Sequence, residues 1–302
     1  MWDYLLYCLA AGLCLGAMYS LIALGYTLVY GIIRLINFAH GEFCMVGAYA
    51  GLGVYLLAGE RVWPWAVLPM VLLASGLAGA AIAGVTERVA YRPIRGAGRF
   101  SALLTAIGVS LLLQNLANFI DSGNPQAYRG WLGEWTSRSV PVGAGQVRIF
   151  ALWCIPAALL LAAGLWLIVH RTRLGRAMRA VSMDLAAAKL MGIPTDRVIS
   201  RTFLMGGFVG GVAGSLGGIT ATVAPMMGFL PGLHGFIAAV VGGIGSIGGA
   251  MIGGFLIGIV QYLVVWAGVP TGYKDVASLV ILILILVVRP QGILGRPERE
   301  KV

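Results

Sequence analysis

Charge is what this sequence has least of. Only 11% of its 302 residues are charged, less than half the roughly 25% of an ordinary soluble domain. A chain so poor in charge cannot coat itself against water, which excludes a soluble globular protein. Chemistry-bearing motifs are missing too. There is no G-x-x-x-x-G-K-[ST] loop to cradle a nucleotide, no H-E-x-x-H and no G-x-S-x-G, so no catalytic constellation presents itself and an enzyme is not expected. The four cysteines, Cys8, Cys14, Cys44 and Cys154, all fall in apolar stretches without metal-ligand spacing and read as small buried hydrophobes. Carboxylates are nearly absent from the apolar runs: Glu42 stands alone there, with Asp121 and Asp275 at run ends. A proton- or sodium-coupled carrier needs intramembrane carboxylates, so any motive force should come from a partner. No Lys or Arg precedes the first apolar run, so residues 4–30 are expected to be a retained span and not a cleaved signal.

What the sequence has instead is hydrophobicity: 59% of residues, with a mean hydropathy of +0.91. Apolar segments fall at 4–30, 41–58, 63–86, 101–120, 149–169, 202–223, 235–266 and 276–288. Runs of this length indicate spanning helices and not the short alternating strands of a barrel. The fold class is therefore an all-α polytopic integral membrane protein, a single transmembrane domain over residues 1–302 with about eight segments.

The net charge of +10 is gathered in short hydrophilic segments and not on a folded basic domain, so the partner it implies is membrane lipid and not nucleic acid. One cluster holds Arg88, Arg92, Arg95 and Arg99; another holds Arg171, Arg173, Arg176, Arg179, Lys189, Arg197 and Arg201; the tail 289–302 holds Arg289, Arg296, Arg299 and Lys301. Basic loops stay on the cytoplasmic side. That places loop 170–201 and the tail inside, loop 121–148 outside, and the N-terminus outside.

Parity then requires residues 235–266 to enter and leave on one side. Thirty-two residues are too few for two full spans of about 20 each. A half-length helix turning back inside the membrane at VVGGIGSIGGAMIGG, residues 240–254, is the expectation. Two polar breaks look alike. Each follows a long apolar run and carries a His-Gly pair, His40-Gly41 in GIIRLINFAHGEF (31–43) and His234-Gly235 further on. An inverted repeat with discontinuous helices is expected, a transporter trait. Asn37, His40, Gly41, Glu42, His234 and Gly235 are candidate residues of a translocation path, or caps of a broken helix. Glycines four apart, Gly206, Gly210, Gly214, Gly218 and Gly245, Gly249, Gly253, should let helices pack closely.

The long loop contains a stretch, 175–191, that reads as one helix ended by Gly192 with Pro194 beyond it. It could lie on anionic lipid or act as a lever on a partner.

Several stretches together carry a family resemblance over nearly the whole length: YSLIALGYTLVYGIIRLINFAHGE (19–42), ERVAYRPIR (87–95), LGRAMRA (174–180), MGIPTDRVI (191–199), VVGGIGSIGGAMIGG (240–254), and YKDVASLV through RPQGILGRPEREKV (273–302). The chain resembles the LivH-type permease subunits of bacterial ABC importers for branched-chain amino acids. The resemblance implies a non-catalytic subunit of the inner membrane without a cofactor of its own. It further implies a second related permease subunit, two ATPase subunits that bind the ATP, and a periplasmic solute-binding protein. It also implies a coupling helix of EAA---G type, here at Ala186, Ala187, Ala188 and Gly192, with Ala186 where the pattern has Glu and Asp184 the nearest carboxylate. A permease for urea, amides or another small polar solute is the alternative within the class; a stand-alone channel is the alternative outside it.

Overall fold

The computed structural model describes residues 2–34, 36–58, 62 and 64–295. The tail residues Arg296, Arg299 and Lys301 lie outside the described residues, as does the side chain of Arg99. The helices, in chain order, are α1 (Trp2–Ile33), α2 (His40–Ala58), α3 (Pro64–Thr86), α4 (Arg92–Ile94), α5 (Arg99–Asp121), α6 (Gly130–Ser137), α7 (Ile149–Arg171), α8 (Arg173–Met183), α9 (Leu185–Leu190), α10 (Thr195–Thr220), α11 (Phe229–Gly242), α12 (Ile247–Trp266) and α13 (Lys274–Val288). Eight stretches among the described residues are helical, long and apolar enough to cross a membrane, and α11 is a shorter apolar helix.

Hydrophobicity all round a helix marks burial or a membrane, and both uses occur. Most of α1 and α10 is buried, whereas α5 and α13 expose most of their surface and lie at the edge of the bundle. Glycine decides which helices reach the centre. A side-chain carbon at Gly12 or Gly16 of α1 would meet the α12 backbone at Ile259 and Phe255; one at Gly79 of α3 would meet α10 at Gly207 and Gly211; one at Gly47 of α2 would meet Gly211. Without a hydrophobic force between helices in lipid, such backbone-to-backbone packing is the main attraction available. Of the glycines spaced four apart, Gly214 packs on Cys44 of α2 and Gly249 and Gly253 pack on Gly242 and Ala238 of α11, whereas Gly245 turns the chain at φ +92°.

The contacts follow an inverted repeat. α1 packs on α12 and α10 packs on α3; α2 packs on α3 and α11 packs on α12. The units are α1–α2–α3 and α10–α11–α12, each a long helix, a non-helical stretch and a shorter helix. The first stretch includes residues 36–39, the second is residues 221–228.

One end of the bundle is basic. There Arg92 and Arg95 bond Asp196 at the start of α10, and Arg95 also pairs with the buried Glu87, which accepts from Ser200 at 2.6 Å. This fastens the π-helical turn Glu87–Tyr91 that follows α3 to the start of α10. The opposite end carries α6 and a hairpin of β1 (Ser139–Val142) and β2 (Gly145–Arg148), antiparallel with Val140 opposite Val147. Gly143 turns the hairpin at φ +58° against Asp3, and Gln126 pairs with Val223. The loop 121–148, expected only as a hydrophilic connection, is thus a folded cap over that end.

The expected turn inside the membrane at 240–254 is corrected. The chain does reverse at 243–246, but at the basic end. Ile293 and Leu294, past the end of α13, donate to the carbonyls of Val241 and Gly242 at 2.9 Å. The parity problem is solved further upstream. Residues 221–228 run down from the opposite end without helical structure, α11 completes that crossing, and α12 returns as a full span.

Candidate functional site

The two breaks meet inside the bundle. After α1 ends, the chain turns back from the basic end through residues 36–39, and α2 begins with His40 beside Gly25 of α1 and Gly210 of α10. Gly210 lies about 22 Å from the start of α10 at 1.5 Å per residue, near the middle of that helix. From the other end, residues 221–228 descend to Gly228, where α11 starts. Gly41 and Gly228 touch through their backbones, and Gly232 packs on Gly41. Two helix starts, facing from opposite directions, share one point.

The polar residues of the first break divide between fastening and lining. Asn37 is buried; its Oδ1 accepts from the Ala39 N–H at 3.1 Å and from the Tyr91 hydroxyl at 2.7 Å, an Asx-type turn that leads into α2. His40 is buried edge-on against Tyr26, with ring centroids 4.7 Å apart. A side-chain carbon at Gly25 would overlap its imidazole, so Gly25 makes the slot it occupies. Glu42 sits in the first turn of α2, where the helix dipole favours a carboxylate. Its Oε1 accepts from Gln114 Nε2 at 2.8 Å and Ser110 Oγ at 3.2 Å, tying α5 to α2.

A cavity of about 380 Å³ opens beside this point. α5 lines it with Leu103, Ile107, Ser110, Leu111 and Gln114, α11 with Phe229 and Leu233, and Tyr26, Gly41 and Glu42 complete the lining. An apolar chamber with a few convergent polar groups is the usual make-up of a small-molecule site.

His234 and Gly235 do not form the second break. They lie within α11, past its first turn. His234 stacks on Tyr19 with centroids 5.0 Å apart and approaches Asp275 Oδ1 at 3.4 Å through Nε2. Gly235 lets Ile22 of α1 come close. The counterpart of Gly41 is Gly228. Both glycines serve close contacts, Gly41 with the backbone of Gly228 and Gly235 with Ile22, so the His-Gly pair does not by itself mark a helix break. With Gln261, which bonds Tyr19, Asp275 and Ser278, His234 belongs to a polar clasp holding the outer α13.

The single helix expected at 175–191 is two. Asp184 is extended (φ −157°) and caps α9, accepting from the N–H groups of Ala186 and Ala187 at 2.9 and 3.0 Å. Its side chain fits a helix start and interrupts a helix interior. Ala186 and Ala187 are exposed, whereas Ala188 is buried. Gly192 follows at φ +75°, the left-handed position that ends a helix. Ser110, Gln114, Tyr91 and Gly228 escaped the sequence reading; the Ser110/Gln114 pair, four apart on an apolar helix, was the signal available.

What the helices and the shared cavity define is a multi-pass membrane transport protein. Comparison with known proteins makes that specific: the chain belongs to the branched-chain amino acid transport system permease component family, whose profile matches residues 8–287. It is 42% identical to the high-affinity branched-chain amino acid transport system permease protein LivH of Salmonella typhimurium, over 96% of each chain. It is 42% identical to the corresponding protein BraD of Pseudomonas aeruginosa, over 97% of each chain. A more distant relative is the ribose import permease protein RbsC of Escherichia coli, at 26% identity over 72% of this chain and 68% of that one.

Proposed function

We propose that this chain is the membrane-spanning subunit of an ATP-driven importer that carries branched-chain amino acids across a bacterial inner membrane. The solute class rests on the relatives of 42% identity, whose names specify it. The observation that carries the transport reading is the meeting of α2 and α11 at Gly41 and Gly228 beside the cavity. Each of these helices starts where a non-helical segment has come in from a different end. Small displacements of the two repeats against each other would open the chamber to one end and then the other, as in transporters built from inverted repeats.

The driving force comes from partners. On α8–α9 the residues Met183, Leu190 and Met191 are 79%, 88% and 82% exposed at the basic end, outside the bundle. A cluster of large apolar side chains there suits a protein surface, namely the cleft of an ATPase subunit. Two such ATPases, a second related permease covering the open side of the cavity at α5, and a binding protein on the folded cap complete the assembly. The basic end faces the cytoplasm, which puts the N-terminus in the periplasm and the C-terminus inside.

Reconstitution with and without the ATPase partners is the test. Leucine uptake into proteoliposomes requires the ATPases and ATP, and the chain alone neither hydrolyses ATP nor passes leucine. Leucine flux through the chain alone would make it a channel. Uptake of urea or an amide in place of leucine by the complete assembly would overturn the solute.

A further inference from the structure

Glu42 is 1% exposed, lines the cavity, and uses one of its two oxygens. Oε1 takes both hydrogen bonds, from Ser110 and Gln114, while Oε2 has no partner. No Lys, Arg or His pairs with it among the described residues. A buried carboxylate without a cation is costly, and an ionised one only accepts hydrogen bonds. A donor bearing positive charge would complete this corner.

We propose that Glu42 Oε2 is the subsite for the α-ammonium group of the solute as it passes the meeting point of the two half-helices. The proposal rests on the solute reading above and deepens it. An ammonium carries three donors, and the residues that line the cavity with Glu42 include others able to accept: Ser110, Gln114 and Tyr26. The rest of the lining is largely aliphatic and aromatic, with Leu103, Ile107 and Leu111 of α5 and Phe229 and Leu233 of α11. A branched alkyl chain placed there would lie against carbon while its ammonium lies against Glu42. Such a site holds a zwitterion by the cationic end, and a solute without an amine gains nothing from it. The two oxygens of Glu42 then have separate tasks: Oε1 holds α5, and Oε2 waits for the solute.

The test uses the full assembly in proteoliposomes. Glu42→Gln keeps a carbonyl oxygen for Ser110 and Gln114 but sets an amide donor where an acceptor is needed. The assembly should form as in wild type while leucine uptake falls roughly tenfold or more, as removal of a charged hydrogen bond does. A second measurement separates recognition from fastening. In a background lacking the native cysteines, Ile107→Cys places a thiol in the cavity, and its alkylation rate is followed with added 3-methylbutylamine or 4-methylpentanoate. The amine should slow alkylation and the acid should not, and amine protection should vanish when Glu42→Gln is added. Equal protection by both compounds, protection by neither, or uptake by Glu42→Gln within about twofold of wild type would overturn the proposal. If the wild-type assembly takes up no leucine, the solute assignment fails, and the amine protection still decides the subsite on its own.

Discussion

At the scale of single residues, glycine has two distinct duties that the sequence alone does not separate. Gly41 and Gly228 touch backbone to backbone, so an added carbon at either can be relieved only by moving a helix. Gly53, on the same helix as Gly41, has open space around it. Gly41→Ala should therefore cost about 1–3 kcal/mol or more through overpacking, whereas Gly53→Ala should be neutral or stabilise by up to about 1 kcal/mol through helix propensity. Thermal unfolding of the purified assembly, scored by loss of monodisperse material, ranks the two; equal midpoints would refute the contact between the breaks. The polar cluster of the first break was legible because Asn37, His40 and Glu42 stand out in an apolar chain. Their partners were not. Tyr91 reaches Asn37 from 54 residues away, and Gln114 reaches Glu42 from 72. Hydropathy records neither pairing.

At the scale of elements, long apolar spans were readable to within a few residues, because twenty apolar residues in lipid leave the backbone little choice but helix. The start of α10 is the exception: the apolar run begins at 202, yet the helix starts at Thr195. Its first turns carry Asp196, Arg197 and Arg201, which the basic end can solvate or pair. Short elements set by one side chain were misjudged, as at Asp184. The split it makes changes how α8–α9 should be probed. Ala188 is buried beneath the lever, so a bulky group there would damage the fold and test nothing. Ala187 is exposed on α9. Ala187→Trp should leave membrane insertion intact and abolish both leucine uptake and solute-stimulated ATPase, because a large side chain holds the lever off its cleft. Arg176→Glu with Arg179→Glu should have a lesser effect if those side chains meet lipid headgroups, worth about 1 kcal/mol each. A Trp is tolerated at a membrane surface, so a surface anchor predicts the reverse order. Normal transport by Ala187→Trp with failure of the charge-reversed protein would make α8–α9 an anchor.

At the scale of the whole molecule, the arrangement of ends can be tested as one unit. The structure gathers Arg92 and Arg95, the end of α7 with Arg171, α8–α9 and the start of α10 at one end. It gathers Asp121, α6, the hairpin and the start of α1 at the other, joined by Ala144 donating to Asp3 at 3.1 Å. These assignments come from contacts inside the bundle, and they bring the clusters of Arg92 and Arg95 and of Arg171 to Arg201 to one end. Lys and Arg in short loops resist translocation, so that end should be cytoplasmic. With the four native cysteines removed, a cysteine at Asn124 in the cap should react with an impermeant thiol reagent added to intact spheroplasts. One at Leu190 in α9 should react only after the membrane is opened or inverted, since both positions are exposed but at different ends. Because a single crossing error flips every later segment, labelling of both from one side would break the inverted repeat itself. Labelling of Leu190 alone from outside would keep the bundle and reverse its orientation, placing the lever where no ATP is available.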